Sequence, residues 1–350
     1  MMRRTICACL VLAALAAPAA AATLRVPKDH ETIQAAIDVA AEGDVIKVAK
    51  GVYDEWLEID GKAGLTLKAQ GKVVIDGNEI EITNSTGITI SGFRLEAVPE
   101  QVVLIEDSAD VTLSKCRIES TASVAVEIRD SNRVVITKCR FAQIGGHGVQ
   151  IDYEDVGPAP TEITIEKCRF DDIGRDAVDL AGVDHVVTKN RISLCGWYGI
   201  SNRASASEVS KNRIDGVEYV GILVEKGENQ IGKNVIRNTG DDGISISGAG
   251  NEVISNRIQT TGNQGIRVES DDTLVVKNTV AAPLAEGISV NGERNRLEKN
   301  LVKQCEDVGY LIQSAGNDIV RNKAKKCGTD VQDDFPEGNT YENNSFPAPT

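Results

Sequence analysis

Nine side chains between residues 147 and 219 could recognise a sugar and act on it. His147, Asp176 and Asp179 can carry protons, and Arg203 is a fixed cation. Two carboxyls beside one glycosidic bond can serve as general acid and general base, provided their surroundings separate their proton affinities. Trp197, Tyr198 and Tyr219 offer flat apolar rings on which a pyranose stacks, and Asp152 and Arg175 can bind its hydroxyls. The chain has only two Trp, six Tyr and three His, so the grouping draws on scarce residues. In the expected division of labour Asp176, Asp179, His147 and Arg203 are catalytic, and Trp197, Tyr198, Tyr219, Asp152 and Arg175 bind substrate.

These residues meet only if the chain returns to one place at a fixed interval, and it does. Asn190, Asn212, Asn234, Asn256, Asn278, Asn300, Asn322 and Asn344 are each 22 residues apart. Reading backwards, Cys168, Cys139, Cys116 and Phe93 continue the series at spacings of 22, 29, 23 and 23. Lys or Arg precedes this residue in most repeats, and a "G-I-x-V" core follows nine residues later, as in "GILV" and "GIRV". A fixed period near twenty means stacked units, each unable to bury its own apolar face.

Apolar and polar residues alternate in "EITIE", "GISIS" and "NEVIS", the period of strands rather than helices. The leucine pattern and helical half of a leucine-rich repeat are missing. The fold class is therefore all-β, a right-handed parallel β-helix solenoid with 22-residue rungs, each rung adding about 4.8 Å. Stacked Asn side chains at a sharp bend can bond to the backbone and to each other, satisfying groups the bend would bury. Cys116, Cys139 and Cys168 suit the same interior stack and are expected to stay reduced. Cys305 and Cys327 share another position one turn apart, within the Cα reach of a disulfide. Two outcomes are open there, a bond or two buried thiols, and Cys195 has no neighbour to pair with.

With the recurring residue as zero, Arg175, Trp197 and Tyr219 occupy position seven, and His147, Asp176, Tyr198 and Asp242 occupy position eight. Asp179 stands at eleven, and Asp152 and Arg203 at thirteen. All four columns are expected to point outward, on one side of four successive turns. The stretch "IGGHGVQIDYEDVGPAP", residues 144–160, breaks the period with extra residues and is expected to wall a groove. The plainer expectations are a tight bend for "GDDG" at 240–243, an incidental surface His147, and a Trp197 that shields a flank of the coil.

The chain opens with Arg3 and Arg4, an apolar stretch and "APAAAA", the pattern of a secretory signal peptide over 1–22. An N-terminal cap and first turn follow at 23–60, then a coil with its own C-terminal cap over 61–350. In the cap, a residue near Asp29 precedes Ile33, Ala36, Ile37 and Ala40 at helical spacing, and such a helix would close the open first turn. Phe335, Tyr341 and Phe346 are expected to fold over the last. The formal net charge is −14, which argues against nucleic acid and anionic membranes as partners. Export to the periplasm or the medium, no membrane insertion after cleavage, and a monomer are expected.

"TIQAAIDVAAEGDVIKVAKGVYDEWLEI", followed by "VVIDG", resembles the opening segment of exported right-handed parallel β-helix proteins of the pectate-lyase-like superfamily. The later repeats resemble the generic repeats of that group, and those of the periplasmic β-helix protein that assists copper insertion into nitrous-oxide reductase. "GHGVQI", "DAVDL" and "GDDGISI" resemble the His, Asp-x-x-Asp and Asp-Asp elements of polygalacturonases, in a different order and without the later Arg-Ile-Lys element. The superfamily's lyases imply a further scheme, in which Ca²⁺ held by Asp152, Asp176 and Asp179 neutralises a uronate and Arg175 or Arg203 is the base. The function expected is a carbohydrate-active or carbohydrate-binding β-helix protein, either a polysaccharide lyase or a glycoside hydrolase. The alternative is a non-catalytic glycan-binding or scaffold protein of the cell surface or periplasm. A copper-scaffold role is poorly served, because residues 23–350 contain no Met and three His.

Overall fold

A computed structural model describes residues 21–98, 102–152 and 159–346. Residues 1–20 of the signal-peptide segment and 153–158 of the 144–160 stretch, the part expected to wall a groove, lie outside the described residues. Each turn of the coil contributes three short strands, as in Glu208–Ser210, Arg213–Val217 and Ile222–Val224. Every strand pairing among the described residues is parallel. The register step is 23 at Arg117↔Arg140 and 29 at Arg140↔Arg169, then 22 over most later turns, as in Ile214↔Ile236 and Ile222↔Ile244. The strands join into one sheet of 26 and another of 13. The larger sheet folds at the ladder residue and makes the first and second faces of a prism. The smaller sheet is the third face.

The sequence alternation places Ile192, Ile214, Ile236 and Ile258 in one interior column with no exposure. The bend between the first two faces needs a residue at positive φ, such as Lys211 at 58°, and then an Asn. Asn212 Oδ1 accepts the Asn190 backbone N–H at 2.9 Å and its side-chain amide at 3.1 Å, while Asn212 Nδ2 donates to the Val187 carbonyl at 2.8 Å. Each rung thereby satisfies the donors and acceptors its neighbour would leave buried. Cys116, Cys139 and Cys168 extend the ladder as buried free thiols, and Cys195 is also buried and free.

A second ladder escaped the sequence reading. His185, Ser207, Asn229 and Asn251 stack at the corner between the third face and the first. His185 accepts the Ile163 N–H through Nδ1 and donates its own backbone N–H to Ser207 Oγ. Asn229 donates its N–H to Asn251 Oδ1. The glycine of "G-I-x-V" is forced by close approach, since a Cβ on Gly221 would stand 2.6 Å from the Gly243 carbonyl oxygen and from Ile236 Cγ2.

The cap helix, α1 (Ile33–Val39), buries Ile33, Ala36 and Ile37 over the first turn. Its N-cap is Thr32, whose hydroxyl accepts the Ala35 N–H. Asp29, the expected cap, instead accepts the Arg25 N–H. At the other end Cys305 and Cys327 are bonded, with Cα atoms 4.6 Å apart. Phe346 is buried against Tyr310 and Tyr341 packs against the core, but Phe335 is half exposed. Among the described residues no helix is long and apolar enough to cross a membrane.

Candidate functional site

The coil brings the nine residues to the junction of the second and third faces, with two layers of different character. Position eight precedes the third-face strand and its side chains turn into the junction, not outward. His147, Asp176 and Asp242 are all buried there. Asp179, on Val178–Val183, is also nearly covered. The expectation of an outward column, and of an incidental surface His147, is therefore corrected. Narrow glycine corners cause it, because Gly145, Gly174 and Gly196 stack so closely that a Cβ on Gly174 would lie 2.3 Å from the Gly145 carbonyl.

In the buried layer Asp176 Oδ1 accepts the Tyr198 N–H at 2.8 Å, and Oδ2 stands 3.4 Å from His147 Nδ1. That nitrogen has no hydrogen-bond partner. Both oxygens of Asp179 are held by Arg203, Nε to Oδ1 at 3.1 Å and Nη2 to Oδ2 at 2.7 Å. The bond from Asp179 raises the guanidinium's proton affinity further. Burial, then Asp176, pushes the Tyr198 phenol up. Burial, then Asp176, also pushes the Cys195 thiol up to about 12, so that thiol is inert.

His147, Asp176 and Asp179 each offer one ligand atom within 4.8 Å of the others. Calcium nevertheless fits this set poorly. It needs six to eight hard oxygens, whereas one ligand here is an imidazole and Asp179 is closed by a guanidinium. The superfamily scheme with Ca²⁺ on Asp152, Asp176 and Asp179 and a free Arg203 base is not assembled. Asp152, in Val149–Asp152, lies near enough to Arg203 to reinforce its charge.

The exposed layer is aromatic. Trp197 and Tyr219 are 46% and 51% exposed. Trp197 is therefore a presented ring, not a shield. Arg175 lays its guanidinium 5.1 Å above the Trp197 ring, and Tyr198 meets Tyr219 edge-on at 6.2 Å. Leu194, 61% exposed, completes a depression of about 520 Å³ with Ile173, Gly174, Gly196 and Trp197. Sequence reasoning missed Leu194. Its signal was a large apolar residue at a repeat position otherwise held by small or polar ones such as Ser120, Gly216 and Ala282, where φ is 56°.

"GDDG" is a bend, as expected, but Asp242 is more than a bend residue. Its Oδ1 accepts the Gln264 N–H at 3.0 Å, repeating the Asp176 arrangement three turns on, while its buried Oδ2 has no hydrogen bond. Burial, then Asp241, raises its carboxyl to about 6.

A family model described as the right handed beta helix region matches residues 57–178, 100–251, 159–281 and 242–347. The chain belongs to the right-handed β-helix family. Comparison of this β-helix protein with curated proteins returns no significant sequence match. Among solved structures it is similar to a point mutant of the periplasmic alginate epimerase AlgG, with 19% identity, a TM-score of 0.60, and 80% of this chain and 76% of that one covered. It is also similar to the PL6 family polysaccharide lyase Pedsa3628 from Pseudopedobacter saltans, at 17% identity and TM-score 0.58, covering 80% and 84%. A third relative in shape is the siphovirus 9NA tailspike receptor binding domain, at 11% identity and TM-score 0.73, covering 94% and 77%. At these identities the likeness is one of fold.

Proposed function

We propose that this β-helix protein is an exported monomer that recognises a polysaccharide at the junction of its second and third faces. The observation that carries the reading is the pair of presented rings, Trp197 and Tyr219, on adjacent turns beside Arg175. Such rings cost little ordering entropy and give a pyranose a flat apolar face. Two of the similar structures are named as an alginate epimerase and a polysaccharide lyase, which supports a glycan over other ligands.

Proton transfer on the bound chain is a second reading, favoured by the unpartnered Nδ1 of His147 facing Asp176. A two-carboxylate hydrolase suits the site less well. Asp179 gives both oxygens to Arg203 and is not free to face a glycosidic oxygen. Elimination needs one base at the carbon beside a uronate and one cation at its carboxylate, and His147 and Arg175 are of those types.

The test is retention and turnover on a panel of polysaccharides, following reducing ends and the absorbance of unsaturated uronates. Retention of one glycan, weakened in Trp197→Ala, is expected. Product that disappears in His147→Gln would add the chemistry. No retention of any glycan by the wild type would sink the proposal.

A further inference from the structure

The residue before each ladder position is at positive φ in all twelve repeats, from Gly92 to Asn343. Nine of the twelve are Lys or Arg, running from Lys115 to Arg321. The bend does not require this. Gly92, Ser255 and Asn343 fill the same position, and Gly or Asn is the easier choice at positive φ. The position after the ladder repeats the excess. Arg94, Arg117, Arg140, Arg169, Arg191 and Arg213 face one another in register on successive strands. Like charges directly opposite each other destabilise a sheet, so neither packing nor pairing accounts for them.

The edge therefore carries two parallel rows of cations, with neighbours in a row about 4.8 Å apart, on a chain of net charge −14. Toward its ends carboxylates quench it, as in Arg117–Glu119, Lys167–Glu166 and Lys299–Glu298. Between Lys189 and Lys277 no ion pair is formed by either row among the described residues. Beside Lys211 and Lys233 the outward column reads Ser210, Gly232, Ile254 in register. The missing side chain at Gly232 leaves a recess of about 180 Å³ against both lysines.

We infer that this edge is a track for an acidic polysaccharide, seated on Lys189, Arg191, Lys211, Arg213 and Lys233, and separate from the Trp197 site. An extended uronan carries one carboxylate per sugar, and its sugar repeat is close to the rung spacing, so successive charges meet successive rungs. The recess takes the apolar face of one ring on Ile254, while Glu208, Gln230 and Glu252 at its rim accept bonds from hydroxyls. The same carboxylates discriminate among polyanions. A membrane surface or a nucleic acid duplex is wide enough to press on them, whereas a single glycan can follow the cations alone. A single-stranded nucleic acid needs aromatic platforms for its bases, and neither row contains an aromatic residue.

The experiment compares wild type, Lys189→Ser/Lys211→Ser/Lys233→Ser and the corresponding triple Arg variant by affinity electrophoresis in polygalacturonate or alginate. Dextran, single-stranded DNA and anionic phosphatidylglycerol vesicles are the controls. Ser255 and Arg321 show that both replacements fit the bend. Expected are retention by either uronan at low salt, its loss at about 1 M salt, where the Debye length is about 3 Å, and at least about tenfold weakening in the Ser variant. The Arg variant should bind the uronan like wild type, and the Ser substitutions should weaken binding by the same factor in a Trp197→Ala background, whatever the Trp197 site itself contributes. Equal uronan binding by wild type and the Ser variant would overturn the inference. So would absent retention at low salt, a Ser effect that vanishes in the Trp197→Ala background, or equal or tighter binding to DNA or vesicles.

Discussion

His147 Nδ1 stands 3.4 Å from Oδ2 of Asp176, one turn away along the coil, with both side chains buried. The carboxylate is oriented from its other oxygen, which holds the Tyr198 N–H. A backbone bond thus aims a side chain at a neighbouring ring, and the same bond places Tyr198 beneath the exposed rings.

Asp176→Ala removes the acceptor of a largely buried N–H and should destabilise the fold by about 1–3 kcal/mol. Asp176→Asn keeps an oxygen there and should cost less. Urea unfolding of the two variants separates the cap from the charge. If Ala and Asn destabilise alike, the Tyr198 bond is not what Asp176 contributes.

Trp197→Ala should weaken glycan retention about three- to tenfold, the range of a single aromatic contact. Because its ring is half exposed, the melting temperature should stay within about a degree of wild type. Affinity electrophoresis and a thermal melt on one preparation check both halves.

Asp242 predicts an unusual pH dependence. Its folded carboxyl is raised from 3.8 to about 6, so between those values the folded chain holds a proton that the unfolded chain has lost. Stability from this group is therefore highest at acid pH and falls as pH rises to about 6, by up to about 3 kcal/mol. Asp242→Asn, which keeps an acceptor for the Gln264 N–H, should be more stable than wild type at pH 7.5. The two should converge near pH 4, and thermal melts across that range show whether the curves close.

Asn234→Ala should cost more than a typical surface change, about 2–5 kcal/mol. It orphans the Asn212 N–H and the Val209 carbonyl and removes a link to Asn256. Asn238→Ala is the matched control, because its bond to Asp215 is exposed and should be worth under about 1 kcal/mol. Urea midpoints rank the pair, and equal midpoints would mean that the ladder adds no stability.

A strict period, alternation of apolar residues and an Asn at each bend were enough to derive the coil from sequence. They act locally and identically in every turn, so one rung explains the rest. The period also assigned residues to columns correctly, which is why His147, Asp176 and Asp179 were expected together. What it could not assign was depth. Whether a column points out or in depends on how tightly the corner turns. Glycine-to-carbonyl contacts between rungs set that, and they buried Asp176 and Asp242 while leaving Trp197 and Tyr219 in solvent. Partner choice was equally hidden. Arg203 and Asp179 are 24 residues apart, and only the register between Val178–Val183 and Ile200–Ser205 brings guanidinium to carboxylate. The sequence by itself determined the coil and the membership of its columns. The tertiary structure alone decided which charges are quenched, which rings are presented and which edge stays cationic, because desolvation and pairing depend on neighbours one rung away.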